Sequence, residues 1–466
     1  MNVSQGLARF VLDFKRSQTD DALKRAAVAA IVDGTASLVG GVREDFGRIL
    51  HAYARATMPG PDAASTIVAS DMRAAPAFAA YINAAAGHSL CYDDTSNAMM
   101  GHPTVVVLPA ALAVAESLGS SGDELIDAFA LGVEVAVRDS ELLAPGHYQR
   151  GWHATGMAGV IGAAAAAIRL LRLGEAEAVH ALGIAATRAA GLRANFGTMA
   201  MIYHAGLAAR GGVDAALLAQ LGMTSAGDPF SGSKGYFSLF AWPPDKPVDT
   251  GRLLQRLGKP FELVSPGLDV KPFPCGSLSH RAIQGALELR AENGVDSRDV
   301  VDVDCALPEL HQDVLVHTHP DSMLAARISL VYPVAVALRN GSCTVNDFTP
   351  DLIKDPEIQR LMGIVKISPI KMEARRGEDL FAAPAEVTLK LRDGRTLHKR
   401  VEVVKASPGY HLTAQEVREK FDSCAEPSLG KAASEQLWDA VWRLDRIRDV
   451  RELTALMVAK TIGAAR

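Results

Sequence analysis

Hydrophobic residues recur at helical spacing along the first half of the chain. In 123–142, apolar side chains stand three and four positions apart, between a Ser-Gly pair that can start a helix and a Pro-Gly pair that can end one. The same spacing predicts three further helices, at 155–173, 174–192 and 204–221. The first of these is rich in alanine. Because small residues let helices approach closely, we expect a helical bundle with this segment near its centre.

The pattern changes after residue 225. Glycines and prolines crowd 225–275, which predicts a loop-rich crossing between two domains. Beyond this crossing, the pattern predicts a helix over 322–338 and strands at 300–305, at 364–370 and in a hairpin over 385–404.

Helical spacing returns in the last part of the chain, at 413–422, 434–443 and 449–461. This order of elements predicts a mainly α fold with a large all-helical domain formed by both chain ends, residues 1–270 plus 406–466. A smaller α+β domain, residues 271–405, interrupts the helical domain.

Composition is typical of an ordinary globular protein. Of 466 residues, 48% are apolar and 22% charged, which excludes a disordered or collagen-like chain. With 48 Lys and Arg against 53 Asp and Glu, the formal charge is −5, so we expect no binding to nucleic acid, which favours a basic excess. The most apolar stretch, 157–168, is shorter than the roughly 20 residues that cross a membrane, so we expect no membrane partner.

Cysteine usage and the N-terminal segment bear on the compartment. The five cysteines are scattered and odd in number, which argues against a disulfide framework or a structural zinc site. The first residues lack a basic region followed by an apolar core, so we expect no signal peptide. A reducing, cytoplasmic location is the resulting prediction.

One group of candidate site residues lies in turns bounded by Gly and Pro. Asp93, Asp94 and Thr95 are consecutive, and His102 follows closely. Such residues can supply general acid and base groups or bind a polar ligand. In the alternative interpretation, Asp94 or Thr95 only caps a helix. A metal site is the third alternative, weakened because no third histidine stands at ligand spacing.

Further candidates lie around the alanine-rich segment. His153 precedes it and stands near Thr155, a position suited to proton transfer beside a bound anion, or simply to a hydrogen bond at a helix start. Arg193 can pair with a carboxylate and His204 can line the same site. Taken alone, these two are more typical of a solvated charge and a packed histidine.

The last candidates lie near and beyond the domain crossing. Lys271 stands among apolar residues and prolines, where burial can tune its proton affinity, although most such lysines are only solvated. Tyr332 lies in a predicted helix and fits either a site or a core. The residues His311, His317 and His319 form a loose group more typical of a surface loop than of a metal site. No phosphate-binding glycine motif and no G-x-S-x-G motif occurs, which weighs against nucleotide use and serine-hydrolase chemistry.

Several motifs in order along nearly the whole chain resemble those of the MmgE/PrpD family, which includes 2-methylcitrate dehydratase, cis-aconitate decarboxylase and iminodisuccinate epimerase. The matching segments are Gly87-His88-Ser89, Tyr92-Asp93-Asp94-Thr95, Gly101-His102-Pro103, Gly151-Trp152-His153, Tyr203-His204-Ala-Gly206 and Lys271-Pro-Phe-Pro274-Cys275. The resemblance implies a helical domain with a smaller α+β lid, a homodimer, an active site between the domains, and no metal or organic cofactor. It also implies active-site positions at Thr95, His102, His153, Lys271 and Tyr332, with Asp93 and Asp94 in the same turn.

Two positions depart from the family pattern. Cys91 stands where the dehydratase and decarboxylase pattern D-F-D-D has its first acid, and Met201 stands where those relatives have a lysine. A missing cation removes a partner for one substrate carboxylate. We therefore expect a smaller, less charged or differently shaped acid than 2-methylcitrate or cis-aconitate.

The resemblance implies a cofactor-free lyase, in first place a hydro-lyase, that removes a proton next to a carboxylate of a small carboxylic acid. His153 would be the base or its conjugate acid, and Lys271 would hold the carboxylate or carry a second proton. His102 and Thr95 would bind the leaving group or another carboxylate, and Tyr332 would donate a hydrogen bond or proton. The alternatives are an epimerase or racemase of a carboxylate substrate and a catalytically silent family member.

Overall fold

The computed structural model describes residues 1–57, 64–244, 248–370, 383–407 and 409–459. About 60% of the chain is helical and 8% is in strands, which confirms the mainly α class. The elements before residue 270 are α1 Val3–Asp13, α2 Asp21–Gly41, α3 Asp45–Thr57, β1 Ser65–Thr66, β2 Arg73–Ala74, α4 Pro76–His88, α5 Thr104–Leu118, α6 Gly122–Leu143, α7 Gly146–Gln149, α8 Ala154–Met157, α9 Gly159–Leu171, α10 Glu175–Thr187, α11 Met199–Gln220, α12 Tyr236–Phe240 and α13 Thr250–Arg256.

The centre of this first region is a set of closely packed helices, in which α9 contacts α5, α6 and α11, and α11 also packs on α4. Close approach depends on glycine where α6 crosses α9, because a Cβ on Gly162 would lie 2.5 Å from the carbonyl oxygen of Gly132. The contacts of α9 confirm the central position predicted for the alanine-rich segment.

Helix α6 begins where predicted, since the Ser121 hydroxyl and the Glu124 carboxylate each accept the other residue's backbone N–H.

The region after residue 270 contains a mixed sheet. Its elements are α14 His280–Asn293, β3 Val300–Leu307, α15 Glu309–Gln312, α16 Met323–Arg327, α17 Val331–Asn340, α18 Pro350–Ile353, α19 Pro356–Ile364, β4 Val365–Pro369, β5 Ala385–Leu391 and β6 Thr396–Val401. The strand order is β4-β3-β5-β6, with β3 parallel to β4 and antiparallel to β5. The predicted hairpin is confirmed as β5 and β6, and α14 packs against both of these strands.

The C-terminal helices are α20 Ala414–Leu429, α21 Lys431–Trp442 and α22 Arg451–Thr454. Helix α20 packs against α2, so residues from both chain ends share one buried hydrophobic cluster. A second cluster is built almost entirely from the sheet and helices between Cys275 and Leu391. The two clusters support a division into two domains, while the proposed boundaries and the lid role of the second domain stay predictions.

Three predicted helices differ from the observed ones. The 155–173 segment is broken at Ala158 into α8 and α9. The 322–338 segment is broken between α16 and α17, because the Ser329 hydroxyl accepts the backbone N–H groups of Val331 and Tyr332 and so starts a new helix. Of the 449–461 segment, only Arg451–Thr454 is α-helical, and residues 460–461 lie outside the described part of the chain.

One continuous apolar window in the described chain, Ala154–Leu171, is long enough to cross a membrane by length and composition alone. Within the protein, 89% of this window is buried. Such burial is typical of a core helix, in agreement with its position between α5, α6 and α11.

Candidate active site

A cavity lies where the first helical region meets the second region, and residues of both regions line it. Its polar side chains are His88, Cys91, Thr95, His102, Tyr148, His153, Lys271 and Ser277. Its apolar side chains include Met100, Met201, Leu278, Val314, Leu315 and Ile328. Concave sites lined by apolar side chains and a few convergent polar groups are the usual form of small-molecule sites.

His88 is the last residue of α4, and its ring is held by the turn that follows. Its Nδ1 lies 2.9 Å from Oδ2 of Asp93, and both side chains are buried. Its Nε2 is buried with no hydrogen-bond partner in the described part of the chain. Burial alone would raise the pKa of Asp93, but the charges of His88 and Lys271 hold it below its usual range. Asp93 is therefore an ionised hydrogen-bond acceptor that contacts residues lining the cavity.

His102 is oriented by the backbone. Its Nδ1 lies 2.6 Å from the carbonyl oxygen of Asp94, which can only accept, so Nδ1 carries the proton. The hydroxyl oxygen of Thr155 accepts the His102 backbone N–H at 3.1 Å. Burial and the charge of Lys271 lower the pKa of His102 to about 3. At neutral pH the imidazole is therefore uncharged, and Nε2 bears a lone pair.

His153 directly precedes α8 and faces His204 on α11. The two Nδ1 atoms are 3.0 Å apart, and the backbone N–H of Leu192 donates to Nε2 of His204 at 3.5 Å. Nδ1 of His204 then carries the proton and donates to Nδ1 of His153, which leaves Nε2–H on His153. Burial is the main cause that lowers the pKa of His153 well below its usual value and that of His204 to about 4.

Lys271 brings a buried ammonium group to the same cavity. Its Nζ donates to the carbonyl oxygen of Cys91 at 3.0 Å and lies 4.0 Å from Oδ1 of Asp93. Cys91 itself has a backbone φ of 49°, in the left-handed region that non-glycine residues rarely adopt. This local strain turns its carbonyl toward Lys271, a kind of feature that clusters at functional sites.

A second buried lysine, Lys420 on α20, contacts the segments that carry the site residues. It pairs with Asp33 on α2 at 2.6 Å. It also donates to the carbonyl oxygens of Tyr92, at 2.9 Å, and Lys271, at 3.1 Å. One side chain from the C-terminal helices thereby fixes the two segments that carry Asp93 and Lys271. Sequence reasoning missed this residue, because nothing near Lys420 in the chain resembles a motif.

The structure brings together most of the predicted site residues. His102, His153, Lys271 and Thr95 line the cavity, and Asp93 and His204 contact the lining histidines. Oγ1 of Thr95 lies 3.4 Å from Nδ1 of His102.

Five predicted site residues do not line the cavity: Asp93 and His204, which contact the lining histidines, and Tyr332, Arg193 and Asp94, whose side chains lie elsewhere. The hydroxyl of Tyr332 points into the second core and donates to the carbonyl oxygen of Asp347 at 2.6 Å. The guanidinium of Arg193 stacks over the Tyr148 ring at 4.0 Å, behind the cavity wall. Asp94 acts through its backbone carbonyl, while burial raises the pKa of its carboxyl group to about 8. These placements correct the expectation of direct contact with a ligand for the three side chains.

Histidines that sequence spacing did not connect form the one group in the described chain that could hold a metal ion. Ligand atoms of His88, His102 and His153 all lie within 4.8 Å of one another. Imidazoles held by a carboxylate, a carbonyl and another histidine can bind Zn²⁺ when each presents a lone pair, which for His153 would require loss of the Nε2 proton assigned above. His88 was noted only as part of a motif, and its closeness to His153 was not predicted. The group around 311–319 does not converge, since His317 instead contacts the carbonyl oxygen of Phe196.

Comparison with known proteins places this geometry in a family. The MmgE/PrpD N-terminal domain matches residues 5–248, and the MmgE/PrpD C-terminal domain matches residues 273–446. Cis-aconitate decarboxylase of Mus musculus is 27% identical over 403 residues, covering 84% of this chain and 80% of that protein. Its Homo sapiens counterpart is 28% identical over 397 residues, covering 83% and 80%. Cis-aconitate decarboxylase of Aspergillus terreus is 26% identical over 467 residues, covering 94% and 92%.

These relatives share an activity name, which supports an enzyme with a function of the lyase type. The two domain matches together span most of the chain, in the order expected for the family. The family predicted from the motifs is thereby confirmed: the chain belongs to the MmgE/PrpD family.

Proposed function

We propose that the protein is a lyase that removes a proton from the carbon next to a carboxylate of a small carboxylic acid. The observation that carries the proposal is the opposite protonation of two facing histidines, Nε2 of His102 with a lone pair and Nε2 of His153 with a proton. A base for the proton and a hydrogen-bond donor for the leaving group, placed in one buried cavity, are what proton abstraction with departure of a leaving group requires.

Lys271 is the group suited to hold the reacting carboxylate. Its ammonium has one hydrogen bond to the carbonyl oxygen of Cys91, which leaves further N–H groups for a ligand. As the proton leaves carbon, negative charge grows on the carboxylate oxygens. A fixed cation in a dry site stabilises that charge more strongly than water does.

His102 is the better candidate for the base, and His88 for a positioning residue. The side chain of His102 is 19% exposed and open to a ligand, whereas that of His88 is 3% exposed. Asp93 lies 3.7 Å from Nδ1 of His102, close enough to stabilise the imidazolium that forms. This assignment exchanges the roles first expected for His102 and His153.

In the hydro-lyase reaction, His102 takes the proton from carbon and Lys271 holds the carboxylate. The imidazolium formed on His102 then gives this proton to the departing hydroxyl, to which Nε2–H of His153 donates a hydrogen bond. The C–O bond breaks, a C=C bond forms, water leaves and both imidazoles are neutral again. No redox change or co-reactant is needed, in keeping with the proposal of a cofactor-free enzyme. The decarboxylase name of the relatives makes loss of carbon dioxide the neighbouring reaction of the same class.

An epimerase is the second candidate function. It needs one group to remove a proton and a second, protonated group to return one on the opposite face. His102 would be the base and the ammonium group of Lys271 the second proton carrier. A silent family member that binds acids without turnover is the third reading. The homodimer, the cytoplasmic location and the lack of nucleic-acid and membrane partners stay predictions.

Proton NMR of chelator-treated enzyme with di- and tricarboxylates and hydroxy acids in deuterated water tests the proposal. A new alkene signal supports the hydro-lyase, and deuterium exchange at carbon alone supports the epimerase. His102→Ala should lower turnover by at least ~10²-fold. Unchanged turnover in that variant, or binding without any reaction across the panel, contradicts the proposed mechanism. Reactivity that returns only on adding Zn²⁺ contradicts the cofactor-free reading.

A further inference from the structure

The cavity is lined by two chemically different sets of side chains, called here the polar wall and the apolar wall. The polar wall is formed by His88, Cys91, Thr95, His102, Tyr148, His153, Lys271 and Ser277, and it includes the three imidazoles and the one ammonium group of the described lining residues. The apolar wall is formed by Met100, Met201, Leu278, Val314, Leu315 and Ile328, each of them buried. Four of these six residues come from the second region, after residue 270.

Few charged side chains line the described part of this cavity. Among the described residues that line it, Lys271 is the only lysine or arginine. Asp93 lies 4.0 Å from its ammonium and offsets part of that charge. The guanidinium of Arg193 donates to the carbonyl oxygen of Tyr148 at 2.7 Å and does not line the cavity. One substrate carboxylate can therefore find a cation here, but a second and third cannot.

We propose that the substrate is an acid with a single carboxylate at the reacting end and a short alkyl arm against the apolar wall. The inference rests on the proposed function, since it assigns the carboxylate to Lys271. A carboxylate buried against Leu278, Val314 and Leu315 would lose its hydration without gaining a cationic partner. An alkyl group in the same place is stabilised by leaving water.

Binding of unreactive acids of equal chain length tests whether the cavity prefers an alkyl group or a second carboxylate at the far end of the ligand. Pentanoate and glutarate both have five carbons and differ in having a methyl or a carboxylate at the far end. Isothermal titration calorimetry should show pentanoate binding at least ~10-fold more tightly than glutarate. Tricarballylate, with three carboxylates, should bind more weakly still.

Two valines provide a matched pair of variants. Val314 lines the cavity and is 8% exposed, whereas Val316, two residues later, is 59% exposed. Val314→Ser should weaken pentanoate binding by roughly 10-fold, while Val316→Ser leaves it unchanged. Met201→Lys places a cation in the apolar wall and should shift the preference from pentanoate toward glutarate.

The outcomes distinguish this inference from the proposed function. Glutarate or tricarballylate binding as tightly as pentanoate, with affinity lost in Lys271→Met, overturns the alkyl arm and leaves the acid-binding role of Lys271 standing. Equal effects of the two valine substitutions also overturn it. If none of the acids binds, both the inference and the proposed function fail.

Discussion

The imidazole rings of His153 and His204 meet through their Nδ1 atoms, 3.0 Å apart. His204 accepts the Leu192 backbone N–H at Nε2, so it must be the donor in this contact. The proton on the far nitrogen of His153 is therefore set by a residue that does not line the cavity. The arrangement makes His204 a positioning residue.

Replacing His204 tests this relationship. His204→Ala removes the donor, frees His153 to change tautomer, and should lower kcat by at least ~10²-fold with a smaller change in KM. His204→Asn keeps an N–H near the position of Nδ1 and should recover part of kcat. His398→Ala, at a half-exposed site on β6, is the control. Equal kcat in the Ala and Asn variants would show that the hydrogen bond does not set the tautomer.

Lys420 should matter for stability, because it and Asp33 are both buried. Lys420→Met leaves the Asp33 carboxylate without its partner and should lower the free energy of unfolding by roughly 3–5 kcal/mol. The double variant Asp33→Asn/Lys420→Met removes both charges and should recover part of that loss. Urea unfolding followed by circular dichroism measures both. A double variant no more stable than the single one would contradict this account.

Asp139 should make stability depend on pH. Its Oδ2 accepts the Tyr236 hydroxyl at 2.6 Å, and burial raises its pKa to about 7. The folded protein then holds a proton that the unfolded chain releases near pH 4, so stability falls as pH rises from about 4 to 7. Asp139→Asn should match the parent near pH 4 and exceed its unfolding free energy by a few kcal/mol at pH 8. The exposed Asp13→Asn is the control, and an unchanged pH profile in Asp139→Asn would refute the assignment.

Tyr332 should be structural and not catalytic. Its hydroxyl donates to the carbonyl oxygen of Asp347 within the second core. Tyr332→Phe should leave kcat unchanged and lower the free energy of unfolding by about 1 kcal/mol, the usual net value of one hydrogen bond. Steady-state kinetics and thermal unfolding of the same preparation measure both. A large fall in kcat with normal stability would return Tyr332 to the catalytic machinery.

Local pattern predicted the parts of the fold that depend on neighbours in the chain. Helix α6 and the β5–β6 hairpin were predictable because capping residues, turn residues and periodicity all lie within the segment itself. The break between α16 and α17 was not, because Ser329 also donates to the carbonyl oxygen of His317, twelve residues away. A side chain with such a tertiary partner overrides helical periodicity.

The sequence by itself determined the mainly α class and the family, and it predicted His102, His153 and Lys271 as site residues. Only the tertiary structure decided how these side chains are held. The proton on His153 depends on His204, 51 positions away, and Lys271 is held by Lys420, 149 positions away. The physical reason is that hydrogen-bond partners, burial and hence pKa values arise from helix packing, which no local pattern contains.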